Sequence, residues 1–173
     1  MESVPYGSGH DEKHFATRLT PLAVERRNDG LKKDIEPISL PPGLDEALLP
    51  FQRQAVEFGL KLEGRVLIAD QMGCGKTLSS IALAWQYRDE WPLLVITPSS
   101  MRGSWAYELE RWLPSVSPSD ISILRSGKDV KDLDKQIVLV TYGLLTQPLL
   151  MESLEAQQYK VRKRVPSRRF VLF

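Results

Sequence analysis

The residues best suited to chemistry lie in one short loop, Asp70-Gln71-Met72-Gly73-Cys74-Gly75-Lys76-Thr77. Gly73 and Gly75 can take backbone angles closed to residues that carry a Cβ. Successive N–H groups from about Gly73 to Thr77 can then converge on an anion. A helix that starts at the loop's end adds an effective charge of about +0.5 at its N-terminus. Lys76 brings a full positive charge for β- and γ-phosphates, and Thr77 a hydroxyl ligand for Mg2+. Together these groups suit a nucleoside triphosphate. The strict pattern G-x-x-x-x-G-K-[ST] asks for Gly at position 70, where this chain has Asp70. A carboxylate about 8 Å from a phosphate charge is repelled by roughly 2 kcal/mol at an effective dielectric of about 20. Asp70 is therefore expected to turn away from the phosphates or to be paired. Cys74 reads as a small residue that fits the loop, with a redox sensor as the alternative.

The elements around the loop must hold it in place. An apolar run, Val66 to Ala69, leads in, and Arg65 to Ala69 reads as a strand covered on both faces, as in a parallel sheet. A helical pattern from Leu78 to about Tyr87 leads out. Upstream, Pro50 suits the first turn of a helix. Phe51, Ala55, Phe58 and Leu62 then share one apolar face, with Gln52 just off it, and Gly64 ends the helix. Downstream, Leu93 to Thr97 reads as a second buried strand. Pro98-Ser99-Ser100 then turns into a helix over 101–113, with Ser100 as its N-cap and Trp105, Leu109 and Trp112 as its core stripe. Ile121 to Leu124 and Gln136 to Thr141 are further strands, separated by a charged connector. A helical stretch near 144–157, interrupted at Pro148, follows. Strands alternating with helices at these spacings predict an α/β fold, a three-layer sandwich around a mostly parallel sheet.

The flanks have another character. Residues 1–43 mix charge, Pro and Gly with sparse apolar residues, and are expected to be a disordered tail ending in a linker over Ile38–Gly43. His10 and His14 stand four apart, but Asp11 sits where a zinc-protease helix needs Glu, so they read as tail residues and not as a metal site. Residues 44–158 form the expected domain. Residues 159–173 carry Lys160, Arg162, Lys163, Arg164, Arg168 and Arg169 without an acidic partner, then end in Phe170-Val171-Leu172-Phe173. Such a run suits nuclear import or a nucleic-acid patch, or a solvated tail. The formal net charge of +1 over 173 residues names no partner. One cysteine excludes an internal disulfide and fits a reducing compartment. No apolar run approaches the ~20 residues of a membrane span. The start lacks the basic and apolar blocks of a signal peptide. Cytosol or nucleus is the expected location.

Several stretches taken together resemble one family. They are Leu49-Pro50-Phe51-Gln52, the 69–77 loop, Val95-Ile96-Thr97-Pro98-Ser99-Ser100 with Trp105 and Glu108, and Val138-Leu139-Val140-Thr141-Tyr142. In this order and spacing they are similar to the first RecA-like lobe of Swi/Snf-type, helicase-like DNA translocases, and most of all to the annealing-helicase branch that remodels stalled replication forks. The resemblance covers about residues 44–145. Asp before Gln-Met-Gly is that family's form of the P-loop. It implies an ATP- and Mg2+-dependent DNA translocase acting in the nucleus on duplex or forked DNA. Gln52 would read adenine, since an amide can both donate to and accept from the base, although an ordinary surface Gln is an equal reading of the residue alone. Ser99 and Ser100, with Arg102 beside them, match one motif on the DNA backbone, and Thr141 and Tyr142 match a second. N-capping and the end of a buried strand are their alternative readings.

The departures matter as much. The family carries an apolar strand ending in Asp-Glu after the second DNA-side motif, and a second RecA-like lobe that supplies an arginine. Asp45-Glu46 and Asp89-Glu90 lie in the wrong order for that pair. The candidate strands are Tyr159-Lys160-Val161 and Phe170 to Phe173. Phosphoryl transfer rests mostly on positioning and electrostatic stabilisation, so the chain is expected to be a truncated lobe that binds ATP with little or no turnover, its basic end foreign to the family. A DNA- or partner-binding module without catalysis is the second reading. A small P-loop kinase is the third, disfavoured by the Asp70 loop and the Ser99-Ser100 motif.

Overall fold

The computed structural model describes residues 34–126, 128–129, 133–150, 152–153 and 171–172. The tail over 1–33 with its two histidines, and the basic run 160–169, lie outside the described residues. The elements are α1 (Pro42–Ala47), α2 (Pro50–Lys61), α3 (Lys76–Gln86), β1 (Leu93–Ile96), α4 (Arg102–Trp112), β2 (Ile121–Ile123), β3 (Ile137–Val140), α5 (Tyr142–Leu145) and β4 (Val171–Leu172). Single 3-10 turns occur at Arg88–Glu90, Ser99–Met101 and Pro118–Asp120.

The strands form one parallel sheet in the order β2-β3-β1-β4. Leu93 lies opposite Ile137 and Ile96 opposite Val140, so the apolar runs of β1 and β3 are in register. Side chains alternate across a strand, and here both faces are covered. Leu93, Val95, Ile137 and Leu139 meet Leu44, Val56, Ile81, Trp105 and Leu109 of the first four helices. Leu94, Ile96, Val138 and Val140 meet Leu124, Leu133, Leu144 and Leu150 on the opposite face. That arrangement is the three-layer α/β sandwich expected for a RecA-like lobe. Each fully buried aliphatic side chain contributes roughly 1.5–3 kcal/mol.

Five local readings differ. In α2 the inward face is Gln52, Val56 and Gly59, whereas Phe58 is 38% exposed. The helix is turned because Gly59 lets it lie tightly on α3. A Cβ there would stand 2.8 Å from Leu83 Cδ2 and 3.2 Å from Val66 Cγ1. Residues 65–69 form no regular element and pair with no described strand. Val66 and Ile68 are half-buried while Leu67 is 85% exposed, so only one side of this run is packed. The stretch expected as a linker holds Ile38 and Leu40 against the core, and α1 begins within it at Pro42. The Gln86 side chain ties this arm to α3, accepting from the Ser39 N–H (3.2 Å) and donating to its carbonyl (3.0 Å). Ser100 does not cap α4: the 3-10 turn carries the chain past it, and Met101 occupies the N-cap without a side-chain hydrogen bond. The helical stretch near 144–157 begins earlier, as the four-residue α5, and helix resumes over 148–150. Of the two strand candidates near the end, Val171–Leu172 pairs with Val95 and Ile96 as β4, and Tyr159–Val161 lies outside the described residues.

Candidate nucleotide site and strand-end loops

The loop between the 65–69 run and α3 has the backbone of an anion cradle. Gly73 (φ +85°) and Gly75 (φ +72°) sit in the left-handed region, which costs a residue with a Cβ about 1–2 kcal/mol. Gly75 is the N-cap of α3, an eleven-residue helix whose first two residues are Lys76 and Thr77. The N–H groups of Gly73, Gly75, Lys76 and Thr77 have no backbone partner among the described residues, whereas that of Cys74 donates to the Gln71 carbonyl at 3.3 Å. Free donors at a helix N-terminus are the condition for holding a phosphate.

Side chains hold this backbone from two directions. Lys76 Nζ reaches back over the loop and donates to the carbonyls of Asp70 and Gln71, both at 2.9 Å. From the other side comes Gln52, only 3% exposed. Its Oε1 accepts the Leu49 N–H at 3.0 Å, and its Nε2 donates to the Cys74 carbonyl at 2.9 Å and to that of Gly75 at 3.5 Å. A Cβ on Gly75 would fall 2.4 Å from Gln52 Nε2, so this position needs Gly for space as well as for angle. Asp70 is half-buried, and its Oδ2 is enclosed by protein with no hydrogen-bond partner among the described residues. Gln71 and Met72 form the exposed tip, Met72 at 96%.

The residues fit Mg·ATP in part. The free N–H groups and Lys76 suit the phosphates. The half-buried Thr77 suits the cation through its hydroxyl. Among the described residues no three His, Cys, Asp or Glu side chains cluster to hold a metal, so further ligands for Mg2+ would be phosphate oxygens and water.

The DNA-side candidates lie where strands end. Because the sheet is parallel, β1, β2 and β3 all deliver their following loops to one edge. Ser99 and Ser100 are exposed there, as is Tyr142, and Thr141 is half-buried at the N-cap of α5. Arg102 is placed otherwise. Its Nη1 donates to the Leu124 carbonyl at 2.6 Å and its Nε to the Ser99 carbonyl at 3.4 Å. The guanidinium thus joins the loop after β1 to the end of β2, crossing the strand between them.

Two contributors were not singled out from the sequence. Leu49 N–H is the second partner of Gln52: the glutamine at N3 reaches back to the N-cap N–H as in one half of a capping box, while Leu49 has no side-chain acceptor for the other half. Leu124 carries no polar side chain, and no sequence pattern announces its carbonyl.

The SNF2-related domain model matches residues 51–171. The DNA annealing helicase and endonuclease ZRANB3 of Homo sapiens is 41% identical over 125 residues, which is 70% of this chain and 12% of that protein. The SWI/SNF-related matrix-associated actin-dependent regulator of chromatin subfamily A-like protein 1 of Xenopus tropicalis is 46% identical over 102 residues, 59% of this chain and 11% of that protein. The chain therefore spans about an eighth or less of the length of these relatives.

Proposed function

The chain belongs to the SNF2-related domain family, and on that premise we propose that it is the ATP-binding first lobe of a DNA-dependent ATPase that moves along duplex or forked DNA in the nucleus. Gly73 to Thr77 hold the triphosphate, Lys76 neutralises its β- and γ-phosphates, and the Thr77 hydroxyl binds Mg2+. Ser99, Ser100, Thr141 and Tyr142 face the DNA backbone, while Arg102 shapes the loop that carries the serines. The relatives' names, annealing helicase and regulator of chromatin, support fork remodelling and repair as the setting.

One observation carries the nucleotide reading. Four N–H groups in the loop and at the start of α3 have no backbone partner among the described residues, at a place where Gly75 admits no side chain. These donors lie in an exposed to half-buried loop, where water can accept from them until an anion takes its place. A chain of phosphates accepts from several at once, and Lys76 can exchange two neutral carbonyls for phosphate oxygens. Charge-assisted hydrogen bonds contribute roughly 1.5–3 kcal/mol each, so phosphate contacts dominate base contacts. Hydrolysis needs an oriented water and stabilisation of the transferred group. In the proposed scheme this lobe supplies the nucleotide binding, and the acidic pair and second RecA-like lobe that the family resemblance implies supply the hydrolytic step.

The test is displacement of a fluorescent ATP analogue in the presence of Mg2+. ATP and inorganic tripolyphosphate should compete, and adenosine should not. Competition by adenosine with none by tripolyphosphate would refute the phosphate cradle.

A further inference from the structure

We propose that Gln86 is a positioning residue for the phosphate loop, although it stands at the far end of α3, and that it acts through residues 38–52. This rests on the reading of the loop as the triphosphate site. α3 runs from Lys76 to Gln86, about 16 Å at 1.5 Å per residue. One stretch of chain is tied to both of its ends. At the C-terminal end the Gln86 amide clasps Ser39, accepting from its N–H at 3.2 Å and donating to its carbonyl at 3.0 Å. At the N-terminal end Gln52 holds the carbonyls of Cys74 and Gly75 at 2.9 and 3.5 Å.

The residues between these two contacts are built as a strap. Ile38 and Leu40 pack on the core to either side of the exposed Ser39, the alternation of an extended segment. Pro37 and Pro41 flank them. Each proline fixes its own φ and biases the residue before it toward extended backbone, so the arm loses little freedom on docking. α1 follows at Pro42 and buries Leu44 fully. Arg53 Nη2 of α2 lies 2.6 Å from the Asp45 carboxylate of α1 and so joins the two helices. The Leu49 N–H then closes the strap on Gln52 Oε1 at 3.0 Å. Leu44 and Leu48 share one core cluster with Ile81 and Leu83 of α3, so the strap and the helix pack together between the two ties.

Water could serve the backbone of the exposed Ser39, and an ordered glutamine side chain gives up rotamer freedom. Gln86 is ordered nonetheless, with Nε2 also 3.5 Å from the Ala82 carbonyl of its own helix. The clasp fixes where the strap begins relative to α3. With it open, the arm frays from Ile38 toward α1, and the hold of Gln52 on the loop carbonyls slackens. Anything that lifts the chain before Ile38 off α3 lowers nucleotide affinity by the same route.

The test is a double-mutant cycle on the 173-residue chain, read by the Mg2+-dependent affinity of a fluorescent ATP analogue, with thermal melting of every variant. Gln86→Ala should weaken binding about two- to fivefold, and no more than removal of Gln52 itself. Ile38→Ser with Leu40→Ser undocks the arm with Gln86 left in place, and should cost a similar factor. In a Gln52→Ala background neither change should weaken binding further, because the route to the loop is already cut. Leu150→Ala opens a buried site on the opposite face of the sheet. It should lower Tm and leave the affinity unchanged. Equal losses from Gln86→Ala with and without Gln52, no loss in either, or a matching loss from Leu150→Ala overturns the assignment and leaves the phosphate-loop reading standing. A wild-type chain that binds no analogue overturns both.

Discussion

Gln52→Ala removes a side chain that joins the start of α2 to the phosphate loop. Two short hydrogen bonds disappear, from the Leu49 N–H and to the Cys74 carbonyl, along with the longer one to the Gly75 carbonyl. At about 0.5–1.5 kcal/mol net for each, the variant should be less stable by about 1–3 kcal/mol. For a chain of this size that lowers Tm by roughly 2–4 °C per kcal/mol. Loosening the Cys74 tether also frees the loop to leave the shape that presents its N–H groups. If one bond's worth of about 1 kcal/mol is then spent on ordering it, nucleotide binding weakens roughly fivefold. The decisive feature is which ligands share the loss. Both ends of the Gln52 amide are occupied by backbone in this structure, so its effect on the loop does not depend on the base. ATP, GTP and tripolyphosphate should weaken by similar factors in competition titrations against a fluorescent analogue. Gln52→Glu keeps an acceptor for Leu49 but aims a carboxylate oxygen at the Cys74 carbonyl, and should bind more weakly than Gln52→Ala. A variant that loses affinity for ATP alone, with GTP and tripolyphosphate unchanged, would refute loop positioning and favour direct adenine reading.

Other consequences follow from the packing. Gly59→Ala should destabilise by about 1–3 kcal/mol through the overlap with Leu83 and Val66. Gly103→Ala, on the exposed side of α4 with nothing within 4 Å of the added Cβ, should stabilise by about 0.4–1 kcal/mol; urea titration of the pair reads both signs. Arg102→Ala should loosen the Ser99 turn from the end of β2, lowering Tm and weakening duplex binding. Arg102→Lys should not restore both properties, because one ammonium on a flexible stem does not reproduce the guanidinium fork.

The legible parts of the chain were those whose cause is local. Gly73, Gly75, Lys76 and Thr77 announce a cradle because the backbone angles and the helix start belong to the same eight residues. The apolar runs of β1 and β3 announce buried strands because both faces are aliphatic. The misread parts depend on contacts made far along the chain. Phe51, Ala55 and Phe58 form the more apolar face of α2, but Gly59 and Gln52 face inward, because Leu83, Val66 and the Cys74 carbonyl are where they are. The 65–69 run looks like a covered strand, yet a strand also needs a ladder partner, and pattern within five residues cannot provide one. Arg102 beside two serines reads as a phosphate contact, and its acceptor on Leu124 is invisible to any pattern in its own neighbourhood. The adenine and DNA roles of individual residues come from the family resemblance, not from any local pattern.

The central claim is that this loop binds triphosphate through the backbone cradle and Lys76. The most direct measurement is the Mg2+-dependent affinity of a fluorescent ATP analogue for the wild-type chain and for Lys76→Ala. The wild type should bind, and Lys76→Ala, folded by thermal melting, should show no measurable binding. Unchanged affinity in the variant would contradict the account.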